Sequence, residues 1–202
     1  MARRRTQKGG QLRAKVANEA ARLMREHGIK DFLLAKRKAA DRLGVRERSY
    51  LPGNDEIAAA LTEQQRLFGG GHYRARLAHL RGTAEQAMRL LEEFQPRLVG
   101  PVLTGAVTEH SEVCLHVFSE APEDVALRLL SNGIPYDISE RRVRYSGDRV
   151  ETVPAYRFIA GDVAVEVAVF PIACLRQAPT CPVEGRPMRR ARLSELAELD
   201  GG

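Results

Sequence analysis

The chain has no tryptophan, and aromatic residues make up only 5% of its 202 positions. Flat rings are the platforms on which single-stranded bases stack, so their scarcity argues against a reader of single-strand sequence. The three cysteines (Cys114, Cys174 and Cys181) are scattered and form no C-x-x-C pair. They are too few for a disulfide framework and lack the spacing of a structural zinc site, which points to a reducing compartment. There is no G-x-x-x-x-G-K-[ST] segment, which excludes a P-loop NTPase. No apolar run approaches the ~18 residues of a membrane span, and the start of the chain lacks the apolar stretch of a secretory signal. Internal repeats are also missing. The expectation is a cytoplasmic protein that does not engage membranes.

What is present is cationic and lopsided. Hydrophobic residues, at 44%, suffice for a core. Lys and Arg number 32 against 26 Asp and Glu. Residues 1–48 hold 15 of those cations and only 5 of the acids, a net of +10, while the other 154 residues net −4. A basic end on a mildly acidic body is the footprint of a chain that docks onto polyphosphate, nucleic acid or another polyanion. A protein partner is the alternative.

Local patterning divides the chain. Residues 1–10 are basic and end in two glycines, so they are expected to be disordered. Apolar residues at helical spacing predict a helix over 11–27, stopped by Gly28. Asp31 can cap a second helix reaching Leu43, whose outer face carries Lys36, Arg37, Lys38 and Arg42. Asn54 can cap a third helix ending at Phe68. The Gly69-Gly70-Gly71 run reads as a hinge. A fourth helix is expected over 73–94, weakened near Gly82-Thr83. The segment Ala39-Ala40-Asp41-Arg42-Leu43-Gly44-Val45 resembles the first helix and turn of a helix-turn-helix motif. Tyr50-Leu51-Pro52-Gly53 interrupts where a recognition helix should begin, which favours an ordinary helical hairpin.

After Pro96 the period becomes alternating. Strands are predicted at Leu98-Val99, Val113–Phe118, 142–146, 155–159 and Val163–Phe170, with a short helix over 123–130. Ala160-Gly161-Asp162 makes a hairpin turn between the last two strands. Beyond Gln177 the prolines keep the chain extended until a short helix, Leu193–Leu199. Alternation places Glu112, Cys114 and His116 on one face of their strand, and Glu166 between Ala164 and Ala168 on one face of another.

Leu98-Val99-Gly100-Pro101, then ten residues, then Glu112-Val113-Cys114-Leu115 resembles the signature of the nucleotidyltransferase superfamily with the polymerase-beta-like fold. That signature is an apolar residue followed by Gly-Gly or Gly-Ser, then acid–apolar–acid–apolar on the next strand. A third acid stands between apolar residues on a later strand, and Val165-Glu166-Val167 has that form. The resemblance spans roughly 73–172. Together with the local patterning, the fold expected is α+β: a basic N-terminal helical region (1–70), a small mixed-sheet domain that the resemblance makes nucleotidyltransferase-like (71–176), and a Pro/Arg-rich C-terminal segment with a short helix (177–202).

The resemblance also implies a nucleotide loop at Gly100, Pro101 and Gly105, and three carboxylates that hold two Mg²⁺ ions. Pro101 stands where the Ser belongs and has neither hydroxyl nor N–H. Cys114 replaces the central carboxylate, and a thiol is a poor ligand for Mg²⁺. The function expected is therefore that of a catalytically degenerate member binding RNA or another polyanion, with no cofactor. An active form would use Glu112 and Glu166 as catalytic residues with Mg²⁺. A softer metal such as Zn²⁺ could draw on Glu112, Cys114, His116 and Glu166. Arg189, Arg190 and Arg192 are candidates for a phosphate clamp reaching back over the sheet.

Overall fold

The computed structural model describes residues 2–68 and 70–199. It is an α+β protein whose described elements are seven α-helices and a five-stranded mixed sheet, with four of the helices preceding the sheet. No described helix is long and apolar enough to cross a membrane. The chain divides into two compact units. The first comprises Met1–Arg74, Ala106–His110 and Pro182–Glu184; the second comprises Ala75–Gly105, Ser111–Cys181 and Gly185–Gly202.

The first unit is built on α1 (Ala2–His27), α2 (Phe32–Arg42) and α3 (Asn54–Phe68). Its core joins Val16, Ala20, Leu23 and Met24 of α1 to Ala35, Ala39 and Ala40 of α2 and Ile57 and Leu61 of α3. Asp31 caps α2 as its sequence predicts, its carboxylate accepting from the Leu33 and Leu34 N–H groups. The cap of α3 differs from expectation. The Glu56 carboxylate reaches back to the Gly53 N–H at 2.6 Å, while Asn54 lies inside the helix and donates to the Pro182 carbonyl. The expected disorder over 1–10 is also replaced, since α1 runs back to Ala2. Glycines at 9 and 10 read as a break; a Cβ added at Gly9 would lie 3.0 Å from the Tyr50 ring, so this glycine admits a close neighbour. No recognition helix follows α2. A 3₁₀ turn (Arg48–Tyr50) and Pro52-Gly53 intervene, and α3 opens on Asp55 and Glu56.

The second unit follows α4 (Gly70–Leu90) with β1 (Arg97–Val99), the one-turn α5 (Pro101–Thr104), β2 (Val113–Phe118), α6 (Pro122–Ser131), β3 (Tyr136–Arg144), β4 (Val150–Ala160), β5 (Val163–Phe170) and α7 (Leu193–Leu199). Sheet order is β1-β2-β5-β4-β3; β2 and β5 are parallel and the other pairs antiparallel. α4 runs unbroken through Gly82-Thr83, where the Thr83 hydroxyl donates to the His79 carbonyl. Two strands exceed their predicted lengths. β3 starts six residues early, at Tyr136, because an edge strand exposed on both faces needs no apolar alternation. β4 starts five residues early despite Pro154. That proline pairs with Glu140 of β3 at a level where β4 and β5 are not paired, so the strand has an open side there, as prolines in sheets require.

The two faces of the sheet differ. One presents Leu98, Val113, Leu115, Val117, Val165, Val167, Val169 and Phe158, all buried. α6 packs against it, with the Tyr156 hydroxyl donating to the Pro122 carbonyl. The opposite face mixes a small apolar cluster (Phe118, Val143, Tyr145, Val153, Ala168, Phe170) with the charged residues described next.

Candidate functional site

The parallel pairing of β2 with β5 sets Cys114 directly opposite Glu166 and His116 opposite Ala168. Glu166 in turn faces Arg157 of β4. Paired residues share a face and alternate residues return to it, so Glu112, Cys114, His116, Arg157 and Glu166 lie on one side of the sheet. The strand alternation read from sequence holds. Val99 of β1 pairs with Cys114, and a Cβ added at Gly100 (φ +73°) would touch the Cys114 side chain at 3.7 Å.

Both glutamates are engaged by arginine. Arg157 donates to the Glu112 carboxylate at 3.0 Å and Arg141 to that of Glu166 at 2.6 Å. The carboxylate side chains are 14% and 17% exposed, and the guanidinium side chains about half exposed. Each acid is thus held under a more open cation. The sequence analysis names neither arginine. Arg157 was legible: counting back from the Gly161-Asp162 turn, Ala160 pairs with Val163 and Arg157 with Glu166. Arg141 was not, because it lies in the unpredicted part of β3.

This donor set does not fit the Mg²⁺ that the resemblance implies. Its central position is a thiol, and the flanking carboxylates already accept from guanidinium groups. Nor does it gather a softer metal: among the described residues no group of three His, Cys, Asp or Glu is placed to hold an ion. His116 is buried, and its Nδ1 accepts from Arg190 Nε at 3.2 Å, which puts the ring proton on Nε2. Burial, followed by the charges of Arg190 and Arg141, pushes its pKa down to about 3, so the ring is neutral at physiological pH.

Arg190, expected to belong to a phosphate clamp over the sheet, is turned inward. The C-terminal segment pairs with the β1 edge through the two backbone bonds between Leu98 and Ala191. That pairing turns Arg190 inward, where it stacks over Phe118 and Phe170 and donates to the Cys174 carbonyl at 2.7 Å. Burial lowers its pKa. Arg189 and Arg192 are exposed. Pro101 is the first residue of α5, and Gly105 follows that helix with φ +82°.

The α2 candidates also separate. Arg42 donates to Glu19, which Arg22 also holds. The hydrogen bond from Arg22 lowers the Glu19 pKa to about 2. Lys36 is half-buried and close enough to Glu56 to help lower its pKa. Arg37 and Lys38 are exposed, and among the described residues neither side chain makes an ion pair. Beside them Leu33 and Leu34 are exposed as well. No protein-family model matches the chain, and no curated protein or solved structure is found to be similar to it.

Proposed function

We propose that the chain is a catalytically degenerate nucleotidyltransferase-like protein that binds RNA, or another polyanion, through its basic N-terminal helices. The observation that carries this reading is the contrast in cation use. Arg141 and Arg157 are spent on Glu166 and Glu112, beside a thiol where a metal-bridging acid belongs, while Arg37 and Lys38 stand exposed without carboxylate partners among the described residues. A site whose acids are already neutralised has no charge left to assemble two divalent ions. Exposed unpaired cations release counterions when they meet phosphate.

The test is a salt titration of binding to a single-stranded RNA. The wild-type chain is expected to show log K falling linearly with log salt. Replacing Arg37 and Lys38 with Gln should flatten that slope by about 1.4, two contacts at roughly 0.7 each. Stability should move by less than about 0.5 kcal/mol per site, since both positions are exposed. A flat wild-type titration removes the polyanion. It would favour a second reading that Leu33 and Leu34 support, in which α2 docks on a protein. Labelled nucleotidyl transfer abolished by Glu112→Gln would overturn the degenerate reading.

A further inference from the structure

Gln65 of α3 and Gly70, Gly71, Tyr73 and Arg74 of α4 line a half-open cavity of about 300 Å³. All five lie in the first unit. Gln65 is 5% exposed, and among the described residues neither its Oε1 nor its Nε2 has a hydrogen-bond partner. Buried polar side chains in folded proteins are nearly always bonded, so a buried primary amide with both ends unpartnered marks a place where something else completes it. The cavity is at the small end of the range of ligand pockets.

The lining defines what fits. A primary amide presents a donor and an acceptor in one plane, the complement of the N6/N7 edge of adenine. Tyr73 brings one of the chain's few aromatic rings to the same cavity, and a ring beside the amide gives a base a stacking surface. The N-terminal end of α4, a 21-residue helix, carries partial positive charge, and Arg74 adds a full one. Gly70 and Gly71 leave the first turn bare: a Cβ added at either would meet nothing within 4 Å, so a phosphate can approach the main chain there.

We propose that this cavity binds an adenine nucleotide, its base edge on the Gln65 amide, its ring against Tyr73, and its phosphate between the start of α4 and Arg74. The same chemistry is offered by free AMP and by an adenosine nucleotide within RNA. The second source rests on the polyanion reading above; the first does not.

Calorimetry on the full chain tests it, using AMP, ribose 5-phosphate, N6,N6-dimethyl-AMP and an oligo(A) strand. AMP is expected to bind at least about tenfold more tightly than the dimethylated analogue, because a site that hydrogen-bonds a group rejects the ligand lacking it. Gln65→Leu should erase that preference without lowering the melting temperature of the free chain, since it replaces an unpartnered amide with an apolar group. Arg74→Gln should weaken AMP while keeping the preference, a variant that serves if Gln65→Leu does not fold. Silence with AMP, together with an oligo(A) affinity that falls in Gln65→Leu, assigns the site to RNA. AMP binding with unchanged oligo(A) affinity assigns it to the free nucleotide. Equal binding of AMP and its dimethylated analogue, together with oligo(A) affinity indifferent to Gln65→Leu, overturns the proposal and leaves the cavity to water. The Arg37→Gln, Lys38→Gln variant should keep the AMP preference whether or not it loses polyanion affinity, which separates the two failures.

Discussion

In the helical unit, Arg37 and Lys38 project from α2 without a carboxylate partner among the described residues, whereas in the sheet unit Arg141 and Arg157 each close over a glutamate that is mostly buried. Both units are rich in arginine. What differs is the environment of the acids: Glu112 and Glu166 stand on a strand face where an unpaired charge is costly, so the fold recruits cations to them. On the exposed face of α2 nothing compels pairing, and the cations remain available to a ligand. Charge count alone is therefore a poor guide to binding. The useful quantity is the number of cations left over once covered acids are satisfied.

The contrast extends to acid. His116 is neutral in the fold with a pKa of about 3, against an ordinary value near 6.5. An unfolded chain takes up this proton as pH falls below about 6.5, and the folded chain does not, so stability falls from there toward pH 3. Between pH 6.5 and 5 the loss is about 2 kcal/mol, at 1.36 kcal/mol per unit. The corresponding group of the helical unit, Glu19, has a folded pKa of about 2, so its contribution is present above about 4.5 and is lost only on the way down to 2. Hydrogen exchange read peptide by peptide should show the sheet opening at pH 5.5 before α1 and α2 do. His116→Gln should remove that early loss. Simultaneous opening of both units, with no change in the variant, breaks the comparison.

A smaller effect is expected at the glutamates themselves. Arg141→Ala leaves Glu166 covered and unpaired, at a cost of about 1–2 kcal/mol. A double-mutant cycle with Glu166→Ala should return a coupling of about 1 kcal/mol, discounted because Arg141 is half exposed. The same cycle on Arg42 and Glu19 should return less, since Arg22 holds Glu19 when Arg42 is gone. Urea denaturation of the four variants of each pair measures this, and equal couplings would dissolve the distinction between covered and open acids.

The sequence signals that succeeded were local and periodic. Alternation placed β2 and β5 to the residue, and an Asx cap marked the start of α2. What escaped depended on neighbours. Gly9 is a breaker unless a ring must approach, and Pro154 is a strand breaker unless its strand has an open side at that level. The polar run 136–141 carries no apolar face because an edge strand needs none. At the site the acids were legible from their apolar frames and Arg157 from the hairpin register, but Arg141 was not, because it reaches Glu166 from two strands away. Arg190 misled for a related reason. An arginine-rich run reads as solvent-facing until the pairing of Ala191 with Leu98 turns one member inward.

The mildest expected effect lies where binding and folding meet. Asp31 holds the first turn of α2 through the Leu33 and Leu34 N–H groups, at 2.7 and 3.1 Å. Asp31→Ala removes that cap and should cost the helical unit about 1 kcal/mol, with no change in the sheet unit's own resistance to urea. It also deletes a negative charge from a basic surface, which by itself favours a polyanion. Arg37 and Lys38 lie beyond the capped turn, so fraying of that turn should leave them on an ordered helix. RNA affinity should therefore stay level or rise slightly, with the salt slope unchanged because no phosphate contact is lost. A fall in both stability and slope would mean that the two cations bind only when α2 is ordered from its first residue, and the surface would then be a built site rather than a charged helix face.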